Sequence, residues 1–265
     1  MTEKEYRTYP AVSRSQLWKL SESPEKFKYE LDNPSEPTDA LIFGQAFHKL
    51  VLEPDTFSED FAIAPAVDRR TKTGKAEYAE FMENCRDKTV ITEDICEKII
   101  VMSEKLKNDY YVQKLLCGEH EKPYFWTDNL TDEACKCRVD CITSIDNIPL
   151  IVDIKTATNA DTDTFMRHAV KYGYHVQAAM YRDGVKANTG IECDFVFIVV
   201  EKEPPYAVNI LQADELFVRH GYNIFRDLLS VYHDCKVTNN WYGYLGKFNN
   251  INVLGLPSYL EKEIV

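Results

Sequence analysis

Arg138-Val139-Asp140-Cys141-Ile142, followed by Pro149-Leu150-Ile151-Val152-Asp153-Ile154-Lys155-Thr156, sets two acids on neighbouring apolar stretches, with a lysine two residues after the second acid. Side chains along a strand alternate faces, so Asp153 and Lys155 project together while Val152 and Ile154 point away. An acid and an ammonium then sit side by side at one edge of a buried sheet. Such a pair can hold a divalent cation and orient a water for phosphodiester hydrolysis. The same spacing suits a plain cross-strand salt bridge on a half-exposed sheet. The choice between the two rests on what else converges there.

Outward from this pair, residues 123–127, 134–145 and 149–156 read as three strands joined by turns at Asp128-Asn129 and Asp146-Asn147. Helices are expected at 162–170 and 174–187. Residues 193–201 are almost unbroken apolar, as in a strand covered on both faces. A neighbouring strand is expected at 206–211, then an amphipathic helix over 213–234 with Leu216, Ile224, Leu228 and Val231 inward. On the N-terminal side, Ser23-Pro24 is an N-cap and N1 pair opening a helix with Phe27 and Leu31 on one face. Further helices are expected at 41–52, stopping before Pro54, and at 92–108, where Ile95, Ile99, Met102 and Leu106 fall at helical spacing. Residues 55–75 lack apolar periodicity, and the aromatic-, Asn- and Gly-rich tail from Trp241 has little. The pattern describes a mixed α/β core with both acids on its second and third strands.

A chain of 265 residues, 45% hydrophobic, can bury one substantial core. No apolar run reaches the roughly 18 residues needed to span a bilayer, and Met1-Thr2-Glu3-Lys4-Glu5 lacks the apolar stretch of a signal peptide. A cytoplasmic location is expected, and the eight cysteines fit it as reduced thiols. Cys135, Cys137 and Cys141 are spaced tightly enough to raise a zinc or iron–sulfur site. In the strand register, however, they share a face with Val139, opposite Lys136, Arg138 and Asp140, and so read as small core residues. A net charge of −12 argues against a general nucleic-acid-coating protein. It does not exclude an enzyme that meets phosphate through a metal ion and a local basic patch.

Other residues can join the acids. His48 lies in Phe43-Gly44-Gln45-Ala46-Phe47-His48; Gly44, one turn earlier, lets a second backbone or a ligand approach the imidazole. A neutral imidazole is a reasonable metal ligand, and a hydrogen-bonded helix histidine is the other reading. Gln177 and Tyr181 stand at i and i+4 on one helix face, suited to hold a DNA phosphate or to steady Lys155, or else to trim a packing helix. Glu121 can add a carboxylate near the cation, with Glu119 competing for the position. Arg69, Arg70, Lys72 and Lys75 surround a glycine in a segment that can grip a nucleic-acid backbone, or be a solvated loop.

Taken together, these residues resemble the PD-(D/E)XK nuclease superfamily and, within it, the RecE-like exonucleases of exodeoxyribonuclease VIII type. The resemblance runs from Ser13-Arg14-Ser15-Gln16-Leu17 through Gly44–His48 and 69–75 to Cys137–Asp140, Val152–Thr156 and His175–Tyr181. It implies a single exonuclease domain over 1–265: a mainly helical part at 1–120, a nuclease core with a mixed central sheet flanked by helices at 121–212, and a C-terminal helix and tail at 213–265. It further implies Mg²⁺ or Mn²⁺ held by His48, Asp140, Asp153 and the backbone carbonyl of Ile154. Lys155 would orient or deprotonate the attacking water, and Gln177 and Tyr181 would place the scissile strand. The second acid is aspartate where many superfamily members carry glutamate, which shortens its reach by one methylene.

By the same resemblance, the activity would be metal-dependent 5′-to-3′ digestion of linear double-stranded DNA. The 3′ single strands would pass to a RecT-type annealing protein, and the enzyme would form a homo-oligomeric ring, with a tetramer favoured. A nuclease of other polarity or structure specificity is the competing enzyme. A non-catalytic DNA-end-binding protein on the same fold is the competing binder.

Overall fold

In this computed structural model the described residues are 1, 3–246 and 251–256, and the remainder of the aromatic tail lies outside them. The helices in chain order are α1 (Glu3–Thr8), α2 (Arg14–Leu20), α3 (Pro24–Asp32), α4 (Asp39–Leu52), α5 (Phe57–Asp60), α6 (Lys72–Asn84), α7 (Glu93–Lys107), α8 (Tyr110–Leu115), α9 (Thr162–Lys171), α10 (Tyr174–Thr189) and α11 (Glu215–Thr238). The strands are β1 (Val12–Ser13), β2 (Phe61–Ile63), β3 (Thr89–Ile91), β4 (Glu119–Thr127), β5 (Ala134–Ile145), β6 (Ile148–Ala157), β7 (Asp194–Glu201) and β8 (Val208–Gln212).

The alternating run around the two acids forms β5 and β6. They are turned back by Asp146 and Asn147, both at positive φ, a backbone state that Asp and Asn tolerate better than most residues. The mixed sheet runs β1-β5-β6-β7-β8, with β4 antiparallel on the other side of β5. Pairing is parallel between β1 and β5 and between β6 and β7, and antiparallel between β5 and β6 and between β7 and β8. Pro123 sits within β4 at the sheet edge, where its missing N–H costs no ladder bond.

Helices cover both faces. Against one, Phe43 and Phe47 of α4, Ile99, Met102 and Leu106 of α7 and Val112 of α8 bury Val152, Ile154, Val196 and Ile198. Against the other, Ala178 and Val185 of α10 and Phe165 of α9 bury Val139, Ile151, Phe195 and Phe197. Leu17, Met180, Phe225 and Leu229 then join α2, α10 and α11. Two glycines permit the close packing of α10. Gly173 precedes it at φ +70°, where a Cβ would stand 2.4 Å from the Trp18 ring, and a Cβ on Gly221 of α11 would stand 1.9 Å from the His175 carbonyl oxygen.

Several expectations change. Residues 55–75 hold α5, β2 and the start of α6, and β2 pairs with β3 in a separate two-stranded sheet. Leu216 is 64% exposed; the inward stripe of α11 begins instead at Val218, because Leu216 lies in a first turn that overhangs the core. Leu31, near the end of α3, is likewise exposed while Phe27 is buried. Cys135 and Cys137 pack on the α10 side with Val139, but Cys141 packs on the α4 side. The alternation breaks at Asp140, opposite Glu121, whose φ of 49° takes it out of the β region.

Candidate active site

That break makes the site. On the edge of β5 facing β6, Cys135 and Lys136 pair with β1 while Cys141 to Ile145 pair with β6. Among the described residues, 137–140 have no strand partner on that edge. β6 leaves β5 after Val152 yet stays bonded to β7 as far as Ala157. The two strands therefore splay at Asp140 and Asp153. Asp140 Oδ2 accepts the Ile154 N–H at 2.8 Å in place of a ladder bond. A strand residue's N–H and C=O point to the same side, so the Ile154 carbonyl faces the same gap.

His48 reaches the gap from α4, its Nδ1 3.3 Å from Asp140 Oδ2. Glu121 reaches it from β4, with Oε2 held 2.6 Å from Arg138 Nε. One ligand atom from each of His48, Glu121 and Asp140 lies within 4.8 Å of the others. Among the described residues this is the one such group of His, Cys, Asp and Glu. One imidazole, two carboxylates and a nearby carbonyl form a donor set that fits a hard or borderline divalent cation. Glu119 is directed elsewhere: it is exposed, opposite Ile142, and pairs with Lys122 at 2.7 Å. Beside His48, a Cβ on Gly44 would meet nothing within 4 Å, so that approach is open and no second backbone occupies it.

Asp153 is almost fully buried, facing α10. Lys155 Nζ lies 2.5 Å from its Oδ2, Gln177 Nε2 donates to its Oδ1, and the Lys155 ammonium stands 4.7 Å from the Tyr174 ring centre. Burial pushes the Asp153 carboxyl above the usual carboxylate range, and the Asp140 charge adds to this against the pull of Lys155. Gln177 is itself buried, and its Oε1 accepts from Arg14 Nη2 at 2.9 Å. In the sequence Arg14 stands only within the Ser13–Leu17 motif; it opens α2 directly after β1, and its contact with Gln177, 163 residues further along the chain, exists only in the fold.

The remaining expected residues lie apart from this cluster or touch it indirectly. Tyr181 sits one turn beyond Gln177 and packs edge-on to Phe195, its phenol kept protonated chiefly by burial. Arg69 lies over Tyr78 and Arg70 pairs with Asp68, while Lys72 and Lys75 are exposed at the start of α6. The three closely spaced cysteines are buried free thiols, and burial pushes Cys135 and Cys141 up to about 12. They are poor thiolate ligands.

A mixed sheet flanked by helices, with acid, acid and lysine at the splayed ends of its central strands, is the PD-(D/E)XK nuclease fold. The chain belongs to the family of PDDEXK-like domains of unknown function DUF3799, which it matches over residues 13–252. Among solved structures it is similar to the "putative exonuclease" of Eubacterium rectale, at 15% identity and a TM-score of 0.64, covering 99% of this chain and 97% of that one. A second, SSO0001, aligns at 16% identity over 71% of this chain and 85% of its own, with a TM-score of 0.33. No curated protein matches in sequence. No helix among the described residues is long and apolar enough to cross a membrane.

Proposed function

We propose that this protein is a metal-dependent nuclease that digests linear double-stranded DNA from its 5′ ends. The observation that carries the chemistry is the gap between β5 and β6, where Asp140 holds the Ile154 N–H beside His48 and Glu121, next to the Asp153–Lys155 pair. His48, Glu121, Asp140, Asp153 and the Ile154 carbonyl are the residues that would hold Mg²⁺ or Mn²⁺. When bound, such a cation supplies Lewis acidity to the scissile phosphate. The Lys155 ammonium, held against Asp153 beside this group, would orient a water and take part in proton transfer. Asp153 and the Tyr174 ring fix that ammonium in turn. Gln177 donates to Asp153 Oδ1, and burial of Asp153 excludes water around it.

Polarity and context come from the likeness of the ordered motifs to RecE-type enzymes. On that reading Arg69, Arg70, Lys72 and Lys75 grip the phosphate backbone, Tyr181 supports the helix that places the scissile strand, and a ring of subunits, favoured as a tetramer, encircles the duplex. The 3′ strands would be handed to a RecT-type annealing partner in the cytoplasm. The test is digestion of linear duplex carrying a label at the 5′ or the 3′ end. Early, Mg²⁺-dependent release of the 5′ label is expected. Early release of the 3′ label, or cutting of closed circles, would replace the polarity with that of another nuclease. Binding of ends without cleavage would favour the non-catalytic reading.

A further inference from the structure

We infer that Arg14 is a positioning residue: it fixes which way the Gln177 amide faces and, through that amide, holds the Asp153 carboxylate in place. The inference rests on the metal-dependent reading of the site. A guanidinium can only donate hydrogen bonds, so the Gln177 oxygen must face Arg14 Nη2, which it meets at 2.9 Å. The amide nitrogen is then turned toward Asp153 Oδ1. The reversed amide would set NH₂ against guanidinium and carbonyl oxygen against carboxylate, two repulsive contacts where there had been two hydrogen bonds. With the Lys155 ammonium paired electrostatically with Oδ2, the Gln177 donor is the hydrogen bond that orients the Asp153 carboxylate.

Arg14 is itself anchored. Its Nη1 donates to the Tyr172 carbonyl at 3.2 Å, just before α10, and its guanidinium lies 5.7 Å from the Tyr174 ring centre. The residue before it, Ser13, pairs with Lys136 of β5, so the docking of β1 against β5 delivers the guanidinium to the edge of the gap. Arg14 thus ties the N-terminal strand, the start of α10 and the buried acid into one arrangement. Gln177 is 3% exposed, so removing Arg14 leaves its oxygen buried and without this partner.

The experiment compares wild type with Arg14→Met, Arg14→Lys, Gln177→Ala and the double Arg14→Met/Gln177→Ala, in the full chain. Mn²⁺ binding is read by calorimetry and cleavage of linear duplex by steady-state kinetics. Methionine keeps an apolar stem against Tyr174 but removes the donors, and thermal melts check that each variant folds. Arg14→Met is expected to weaken Mn²⁺ binding and lower kcat about ten- to a hundredfold, as loss of an outer partner of a metal ligand does, with little change in KM. The double variant should be no worse than Gln177→Ala. Arg14→Lys should recover part of the loss, because an ammonium donates to the same oxygen.

The inference fails alone if wild type binds Mn²⁺ and cleaves while Arg14→Met stays within about twofold of it, or if the two single losses multiply. A folded wild type that neither binds Mn²⁺ nor cleaves overturns the nuclease reading, and this inference with it. If Arg14→Met does not fold, the Arg14→Lys comparison decides. Mn²⁺ affinity equal to that of Gln177→Ala, with no recovery by the ammonium, would contradict the role.

Discussion

Asp140 Oδ2 serves two neighbours, accepting the Ile154 N–H while lying 3.3 Å from His48 Nδ1. That double duty explains why the carboxylate stands where β5 stops pairing with β6: the hydrogen bond closes the ladder while the second oxygen stays available. His48→Ala and Glu121→Ala are therefore expected to fold and to bind Mn²⁺ more weakly by calorimetry, and unchanged binding would return either residue to a structural role. Lys155→Ala should lower the single-turnover cleavage rate by about 10²–10⁴-fold, the usual worth of a positioned proton-transfer group. Away from the gap, His175 is buried against Trp18, Phe217 and His220, and burial holds its imidazole below the usual range. The unfolded chain then takes up the proton more readily than the folded one, so this histidine costs stability as pH falls from about 7 toward 5. Thermal melts of His175→Phe across that window should fall less steeply than wild type, and parallel curves would contradict the assignment. Asp153, Lys155 and His48 were legible in the sequence because their spacing and motif are local. Arg14's partnership was not, since it depends on a two-residue strand docking far away in the chain.

The elements around the gap form for reasons that reach different distances along the chain. β5, β6, β7 and α7 lay close to their expected bounds, because strand alternation, an apolar run and helical spacing are properties of ten or so residues. β1 has two residues and β2 and β3 three each, too short to carry a period, and their pairing comes from tertiary contact. α6 opens with Thr71 capping the Gly74 N–H, a signal hidden among the basic residues around it. The break of alternation at Asp140 was also invisible, since it lies opposite the positive φ of Glu121 on a separate strand, 19 residues away in sequence and set by the tertiary pairing. α10, which carries Gln177 to Asp153, lies against α11 through Gly221 with no room for a Cβ. Gly221→Ala should therefore destabilise the fold by about 1–3 kcal/mol in chemical denaturation, as overpacking does. A cost near zero would mean that α11 can move off α10 freely.

For the whole molecule, a net charge of −12 means that the proposed DNA binding would depend on local patches rather than on the mean field. Replacing Arg69, Arg70, Lys72 and Lys75 by glutamine should raise the KM for duplex DNA and flatten the dependence of log KM on log salt by up to about four phosphate contacts. An unchanged salt slope would make the segment a solvated helix start and no more. The fold places its acids, its lysine and its candidate metal ligands on four separate elements, β4, β5, β6 and α4, and that convergence is what a metal-dependent phosphodiester hydrolase requires. The most direct measurement is release of acid-soluble nucleotides from linear duplex DNA by wild type and Asp153→Ala, each with Mg²⁺ and with EDTA. Release by wild type with Mg²⁺ alone, abolished in a folded Asp153→Ala, is the expected result. Equal release by the two proteins, or release undiminished in EDTA, would contradict it.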